Sequence, residues 1–227
     1  MYNTDIPQVF NHTPTEPELI EKILGELSKY LDEKRLNHTF FVEKEAQSIA
    51  ESVFLVYNIK DIYINDLKAA ALLHDLTKKF SLEKQLELCE KYNIFPGNFP
   101  SCALLHGKTA AFLARELFGI NDIVFSAVYN HTTGKENMNI FDKIIFLADY
   151  IEPSRKYEHC KQTRRFFYSL LSSNGVSAAA KALDEAVVMS MDGTIKNLVE
   201  QGMTIDLQTV TARNYLIHKM SYFTKCH

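Results

Sequence analysis

This chain predicts an all-α fold, and three observations carry that expectation. Apolar residues recur at three- and four-residue spacing in almost every segment between turn signals. No apolar/polar alternation lasts beyond a few positions, which argues against half-buried strands. No internal repeat and no glycine-rich phosphate loop breaks the helical pattern. With 227 residues, 46% hydrophobic and 23% charged, the composition is that of an ordinary globular protein with one sizeable core.

Charge and cysteine usage narrow the class. A formal net charge of -3 gives no global basic field, so nucleic acid is not an expected partner and phosphate-binding charge must be local. Cys89, Cys102, Cys160 and Cys226 form no CxxC pair and read as reduced thiols. No apolar run approaches the roughly 20 residues of a membrane span, and no signal pattern opens the chain. A cytoplasmic location without membrane attachment is the expectation.

In chain order, residues 1–18 are expected to be a flexible arm ahead of a single domain over 19–227, because MYNTDIPQVFNHTPTE is polar, punctuated by proline and aperiodic. His12 in that arm reads as a surface residue. From Pro17, Leu19, Ile20, Ile23, Leu24, Leu27, Tyr30 and Leu31 trace a first amphipathic helix. A second runs from Arg35 to Tyr57 with Val42, Ala46, Ile49, Ala50, Val53 and Phe54 inward, and it places Arg35 and His38 on that same face. A central helix begins near Asp66, an N-cap or first-turn acid, and is expected to reach Lys78. Ser81 should cap the next helix, through Tyr92, with Leu82, Leu86 and Leu88 buried.

Residues 94–100 (IFPGNFP) mark a loop, after which a helix carries Leu104 to Leu117 and ends at Gly119. A short helix over Ile123 to Tyr129 leads into Asn130-His131-Thr132-Thr133-Gly134, where a terminal imidazole would be protonated or presented to a ligand. Asn139 to Tyr150 is strongly apolar around Asp149, and Pro153 ends it so that Arg155 can turn back. Helices over Phe166 to Leu171, Val176 to Glu200 and Asp206 to Phe223 complete the pattern, with Leu207 and Leu216 among the core residues.

Chemistry concentrates at residues 69–79, AAALLHDLTKK, where His74 and Asp75 follow five small or aliphatic residues. An unpaired buried carboxylate costs several kcal/mol, so Asp75 calls for a partner, and a cation is an economical one. Imidazole and carboxylate together suit Fe, Mn, Zn or Mg better than the metals that favour thiolates. Removing Asp75 is accordingly expected to stabilise the metal-free chain. Lys78, one turn beyond His74, is placed to hold a phosphate. A bridging or capping role for the doublet is equally compatible with the dipeptide alone.

Further along, His106, His131 and Asp149 also stand beside apolar helical segments. The ordered set of His38, His74-Asp75, His106, His131 and Asp149 resembles the HD superfamily of metal-dependent phosphohydrolases. The motifs RLNH (35–38), ALLHDLTK (71–78), LLHG (104–107), HTTG (131–134), LADYIEPSR (147–155) and TVTARN (209–214) are similar to those of its YqeK family. The resemblance covers nearly all of the chain after residue 19. It implies an HD-domain helical bundle and symmetrical hydrolysis of diadenosine tetraphosphate to two ADP, with iron as the usual metal and Mn, Co, Zn or Mg as substitutes.

On that resemblance His38, His74, Asp75 and Asp149 are the metal ligands, with Asp75, Lys78 and His106 catalytic. Arg35, Lys78 and Arg155 form a phosphate clamp, while His106 and His131 either touch phosphate directly or hold a second metal. Arg213, Lys108, Thr132 and Thr133 are candidates for the substrate channel, and Tyr157, Phe112 and Tyr129 for stacking on adenine. His159, His218 and His227 read as surface residues. The expected partner is a small nucleotide, with a homodimer left open. The family has also been linked to NAD metabolism. Alternatives are another HD-type nucleotidase or nucleoside triphosphate phosphohydrolase and, in a different class, a non-catalytic nucleotide-binding module.

Overall fold

Small polar residues stand ahead of most helices in this sequence, and their side chains take up amide groups that a helix start leaves unpaired. The computed structural model describes residues 12–174 and 178–225, and among these the regular structure is helical throughout. Helix α1 (Pro17–Glu26) opens on its proline, and α2 (Glu33–Tyr57) on Asp32, whose carboxylate accepts from the Arg35 amide at 2.9 Å. After α3 (Ile64–Leu73), Ser81 caps α4 (Leu82–Lys91) and Ser101 caps α5 (Cys102–Phe118), which stops at Gly119 with φ +65°. Asn121 caps α6 (Asp122–Asn130). Asn139 and Asp142 bond each other's backbone amides at the start of α7 (Ile140–Ile151), a reciprocal capping box. Helices α8 (Glu158–Asn174), α9 (Ala179–Glu200) and α10 (Leu207–Lys225) follow.

Apolar faces then dictate the packing. Helix α2 lies against α3, α7 and α9, α6 joins α3, α5 and α7, and both α8 and α10 rest on α9. Phe54 meets Phe141 edge-on at 5.7 Å in the core, which also buries Ile49, Leu73, Ile144, Leu147 and Val187. No helix among the described residues is long and apolar enough to cross a membrane.

The structure departs from the sequence reading at specific places. The central helix ends at Leu73, five residues before Lys78, because the His74 ring bonds the Ala71 carbonyl at 2.6 Å. Continuing the helix would have given that carbonyl to the Asp75 amide. The chain tightens instead into turns, with Leu76, Lys78 and Phe80 amides bonding carbonyls three residues back. Leu82 and Leu207 are exposed, while Gln85 takes the inward position on α4. Helix α8 starts eight residues ahead of Phe166, and the expected start at Val176 lies outside the described residues. The same holds for residues 1–11, Cys226 and His227.

The described part of the arm is tied down. Asp66 stands in the first turn of α3, as one of its two expected roles had it, and is a buried acceptor for the Thr15 amide (2.9 Å), the Thr15 hydroxyl (2.7 Å) and the Asn121 side-chain amide (2.8 Å) rather than a cap. His12 Nε2 stands 2.8 Å from the same carboxylate, so His12 is a packed partner rather than a surface residue. His159 is likewise packed, between Tyr150 and Tyr157.

Candidate active site

Five helices bring one or two polar side chains each to a common point. His38 comes from the first turns of α2, and His74 and Asp75 from the turn that ends α3. His106 comes from α5, His131 from the residue that caps α6, and Asp149 from the end of α7. All four imidazoles are fixed through Nδ1. His74 donates to Ala71 O at 2.6 Å, His106 to Cys102 O at 3.2 Å, and His131 to Val128 O at 2.7 Å. His38 donates to Glu152 Oε1 at 3.2 Å. A carbonyl or carboxylate can only accept, so each ring carries its proton on Nδ1 and turns Nε2 to the centre.

The Nε2 atoms converge on two carboxylates. His38 Nε2 lies 3.0 Å from Asp149 Oδ1 and 3.7 Å from Asp75 Oδ2, and His74 Nε2 lies 3.4 Å from that Asp75 oxygen. On the other side of Asp75, Oδ1 is 3.2 Å from His106 Nε2 and 3.9 Å from His131 Nε2. Asp75 thus divides the cluster, one oxygen facing each pair of imidazoles. The groups His38-His74-Asp75, His74-His131-Asp149 and Asp75-His106-His131 each offer three donor atoms lying within 4.8 Å of one another.

Two features suit these groups to a cation better than to a closed hydrogen-bond network. The Nε2 atoms of His38 and His74 are buried without any hydrogen-bond partner. Leaving such atoms unpaired in the interior is costly unless a ligand takes them. His106 and His131 also present Nε2 atoms to each other at 2.9 Å although each ring spends its proton on Nδ1, so two lone pairs face one another. The imidazole and carboxylate donors fit a divalent ion of intermediate hardness.

Positive charge lines the same centre. Arg35 donates to Asp75 Oδ2 at 2.7 Å, and Lys78 Nζ stands 3.1 Å from His106 Nε2 and 3.8 Å from Asp75 Oδ1. Arg155 turns back as expected, donating to the Asp149 carbonyl at 2.9 Å and to its carboxylate. Burial would raise the Asp75 carboxyl, but the His74 and His106 rings around it, with Lys78 beside them, hold it well below the usual range. Asp149 is held low too, its burial outweighed by Arg155 and His38. His38 is pushed up to about 9, burial opposing and the Asp149 and Glu152 carboxylates prevailing.

His106 and His131 move the other way. Burial and neighbouring positive groups hold both below the ordinary imidazole value. Of the two expectations for His131, an imidazole presented to a ligand is the one its geometry matches, with Nδ1 on Val128 O and Nε2 turned to the cluster.

Other predicted residues sort cleanly. Thr132 belongs at the cluster, its hydroxyl 3.3 Å from both His106 Nε2 and His131 Nε2. Thr133 bonds the Gly134 carbonyl. Arg213 bonds Asp192 and Asn214 on the outer side of α9 and α10, so its contacts are not with the ligand residues. Phe112 packs on Tyr92, Phe125 and Tyr129.

The sequence reading missed Glu152, a buried residue that holds His38 and accepts from the Ser154 amide (2.5 Å) and hydroxyl (2.6 Å). An acid closing an apolar helix just ahead of Pro153 was the available signal. Thr77, whose hydroxyl donates to the His106 carbonyl at 2.8 Å and ties the α3 turn to α5, was also missed.

Comparison with known proteins agrees with this geometry. The HD domain family model matches residues 35–154, a span that contains every converging ligand. A symmetrical bis(5'-nucleosyl)-tetraphosphatase of Staphylococcus aureus is 30% identical over 86% of this chain and 93% of its own. One from Halalkalibacterium halodurans is 31% identical over 86% and 96%. A solved structure from Clostridium acetobutylicum, described as an HD superfamily hydrolase involved in NAD metabolism, superposes with TM-score 0.74 at 34% identity, covering 88% of this chain and 97% of that one. The chain belongs to the HD-domain family and, within it, to the YqeK family.

Proposed function

We infer that this protein hydrolyses diadenosine tetraphosphate symmetrically, to two molecules of ADP, at a divalent cation. The observation that carries the reading is the convergence of four uniformly oriented imidazole Nε2 atoms and two carboxylates beneath Arg35, Lys78 and Arg155. The names of the Staphylococcus and Halalkalibacterium relatives support the choice of substrate. His38, His74, Asp75 and Asp149 would hold the ion, and we assign iron, with Mn, Co, Zn or Mg as substitutes. His106 and His131 with Asp75 Oδ1 form a second donor set that can take another ion or a phosphate oxygen. Bound there, a divalent ion supplies Lewis acidity toward phosphoryl oxygen and lowers the pKa of water.

The chain's own groups do the rest. Arg35, Lys78 and Arg155 offset the charge of the tetraphosphate and hold its central anhydride over the cluster. Water adds its oxygen to one of the two central phosphorus atoms. The bond from that phosphorus to the bridging oxygen breaks, and the departing ADP keeps the electron pair. His106, neutral and hydrogen-bonded to Lys78, is placed to accept the proton that the water gives up.

Identification of products is the test. ADP as sole product from diadenosine tetraphosphate is expected. AMP with ATP, or inorganic phosphate released from mononucleotides, would reject this reading in favour of another HD-type nucleotidase. Tight nucleotide binding with no turnover under ferrous, manganous or cobaltous ion would mark a non-catalytic module. Asp75→Ala should lose bound metal and activity together. Lys78→Ala should keep its metal, measured by elemental analysis, while kcat falls by about 10- to 100-fold.

A further inference from the structure

Of the three rings that the sequence offered for a nucleobase, only Tyr157 keeps its face open. Phe112 and Tyr129 are engaged with Tyr92, Phe125 and each other. Tyr157 is 65% exposed, yet one face lies parallel on His159, 9° between planes and 5.5 Å between centroids. His159 packs in turn against Tyr150, again at 5.5 Å, and Tyr150 directly follows the ligand residue Asp149 in α7. Three rings therefore run from the α9 side of Tyr150 outward to the exposed Tyr157.

What surrounds this stack suits a nucleotide. Arg155, two residues before Tyr157, is bonded to Asp149, so a phosphate-binding charge lies at the inner end of the rings. Partial burial, and after it the same guanidinium, hold the His159 imidazole below its ordinary value, which favours an uncharged middle ring. The floor is α9. A Cβ on Gly193 would stand 2.3 Å from Tyr150 Oη and 3.5 Å from His159 Cβ, so glycine there lets the rings seat against the helix backbone. An exposed tyrosine fixed on one face and open on the other is the form that stacking on bases takes, and such stacking tolerates different bases because each has a π-face.

We propose that Tyr157, backed by His159 and Tyr150, is the platform on which one nucleobase of the dinucleotide stacks. The proposal rests on the hydrolase reading above and adds to it the place where the base docks. It also implies weak discrimination between adenine and other purines, because the platform offers a surface rather than an edge.

The chain contains no tryptophan, so Tyr157→Trp introduces a single fluorophore at an exposed position. Its emission should be quenched on titration of the metal-loaded protein with ADP and unchanged by inorganic pyrophosphate, which has the charge and no base. Tyr157→Ala should raise KM for diadenosine tetraphosphate about tenfold with kcat within about twofold, and Tyr157→Phe should restore KM. Equal responses to ADP and pyrophosphate, or an unchanged KM in Tyr157→Ala while the wild type turns over normally, would overturn the platform and leave the hydrolase reading standing. A wild type that neither hydrolyses the dinucleotide nor binds ADP by calorimetry would remove both.

Discussion

At the scale of single residues, the site depends on how its imidazoles are held as much as on which imidazoles are present. Three of them are oriented by carbonyls of their own helices, but His38 depends on a side chain from elsewhere, Glu152. A carboxylate behind a ligating histidine fixes ring orientation and raises its basicity, and loss of such a partner typically costs about 10- to 100-fold in metal affinity. Glu152→Gln keeps size and one acceptor but removes the charge. Its metal affinity, read by competition with a chelator, should fall toward the lower end of that range with the helical circular dichroism unchanged. An affinity equal to wild type would show that His38 is positioned by packing alone. The residues that converge were legible because a histidine or aspartate among apolar neighbours is conspicuous. Glu152 was legible only as an acid closing an apolar helix, because nothing in the order of residues says that it reaches back to a helix more than a hundred positions earlier.

Between elements, a glycine sets one of the closest approaches at the site. In α5 a Cβ on Gly107 would stand 3.1 Å from His131 Cε1, 3.2 Å from His131 Nδ1 and 3.2 Å from the Tyr129 carbonyl. Two of those atoms belong to a ring already fixed by Val128 O, and the third is backbone, so none can yield without moving His131 Nε2. Gly107→Ala should therefore lower kcat by about tenfold, since small displacements of positioned groups are costly, while alanine's better helix propensity offsets part of the strain in the melting temperature.

Helices α2 and α8 meet at another junction, where the Tyr168 hydroxyl donates to Glu45 at 2.7 Å. Burial pushes the Glu45 carboxyl up, more than Tyr168 and Arg164 pull it down. With a folded-state value above the unfolded one, this carboxyl binds its proton more tightly when folded. Ionised, it costs stability above its folded value, and below the unfolded value near 4.5 the cost is gone. Glu45→Gln should raise the melting temperature at pH 7, and that gain should vanish near pH 4. Helical periodicity announced most of these elements, but the stop of α3 at Leu73 escaped it. The cause is a side chain of the chemical site, His74, taking a carbonyl that the helix would have used.

For the molecule as a whole, the candidate ligands bring α2, the end of α3, α5, α6 and α7 to one point, so an ion bound there would act as a cross-link between segments distant in sequence. Only the folded chain gathers them, and an ion at 100 times its dissociation constant then stabilises by about 2.7 kcal/mol. For a chain of this size that is about 5 to 11 °C in melting temperature. The metal-free state is not empty of compensation, however. The His74 and His106 rings and Lys78 hold the Asp75 carboxyl well below its ordinary range against its burial, and Arg35 donates to it, so the fold without metal already stabilises its charge. The partners the structure gives Asp75 favour the outcome opposite to the one expected from the sequence, and the melting temperature decides between them. In chelator Asp75→Ala should melt below wild type, and added ferrous or manganous ion should raise the wild-type melting temperature while leaving the variant where it was. A wild type whose melting temperature is the same with chelator and with metal would mean that no ion joins these helices.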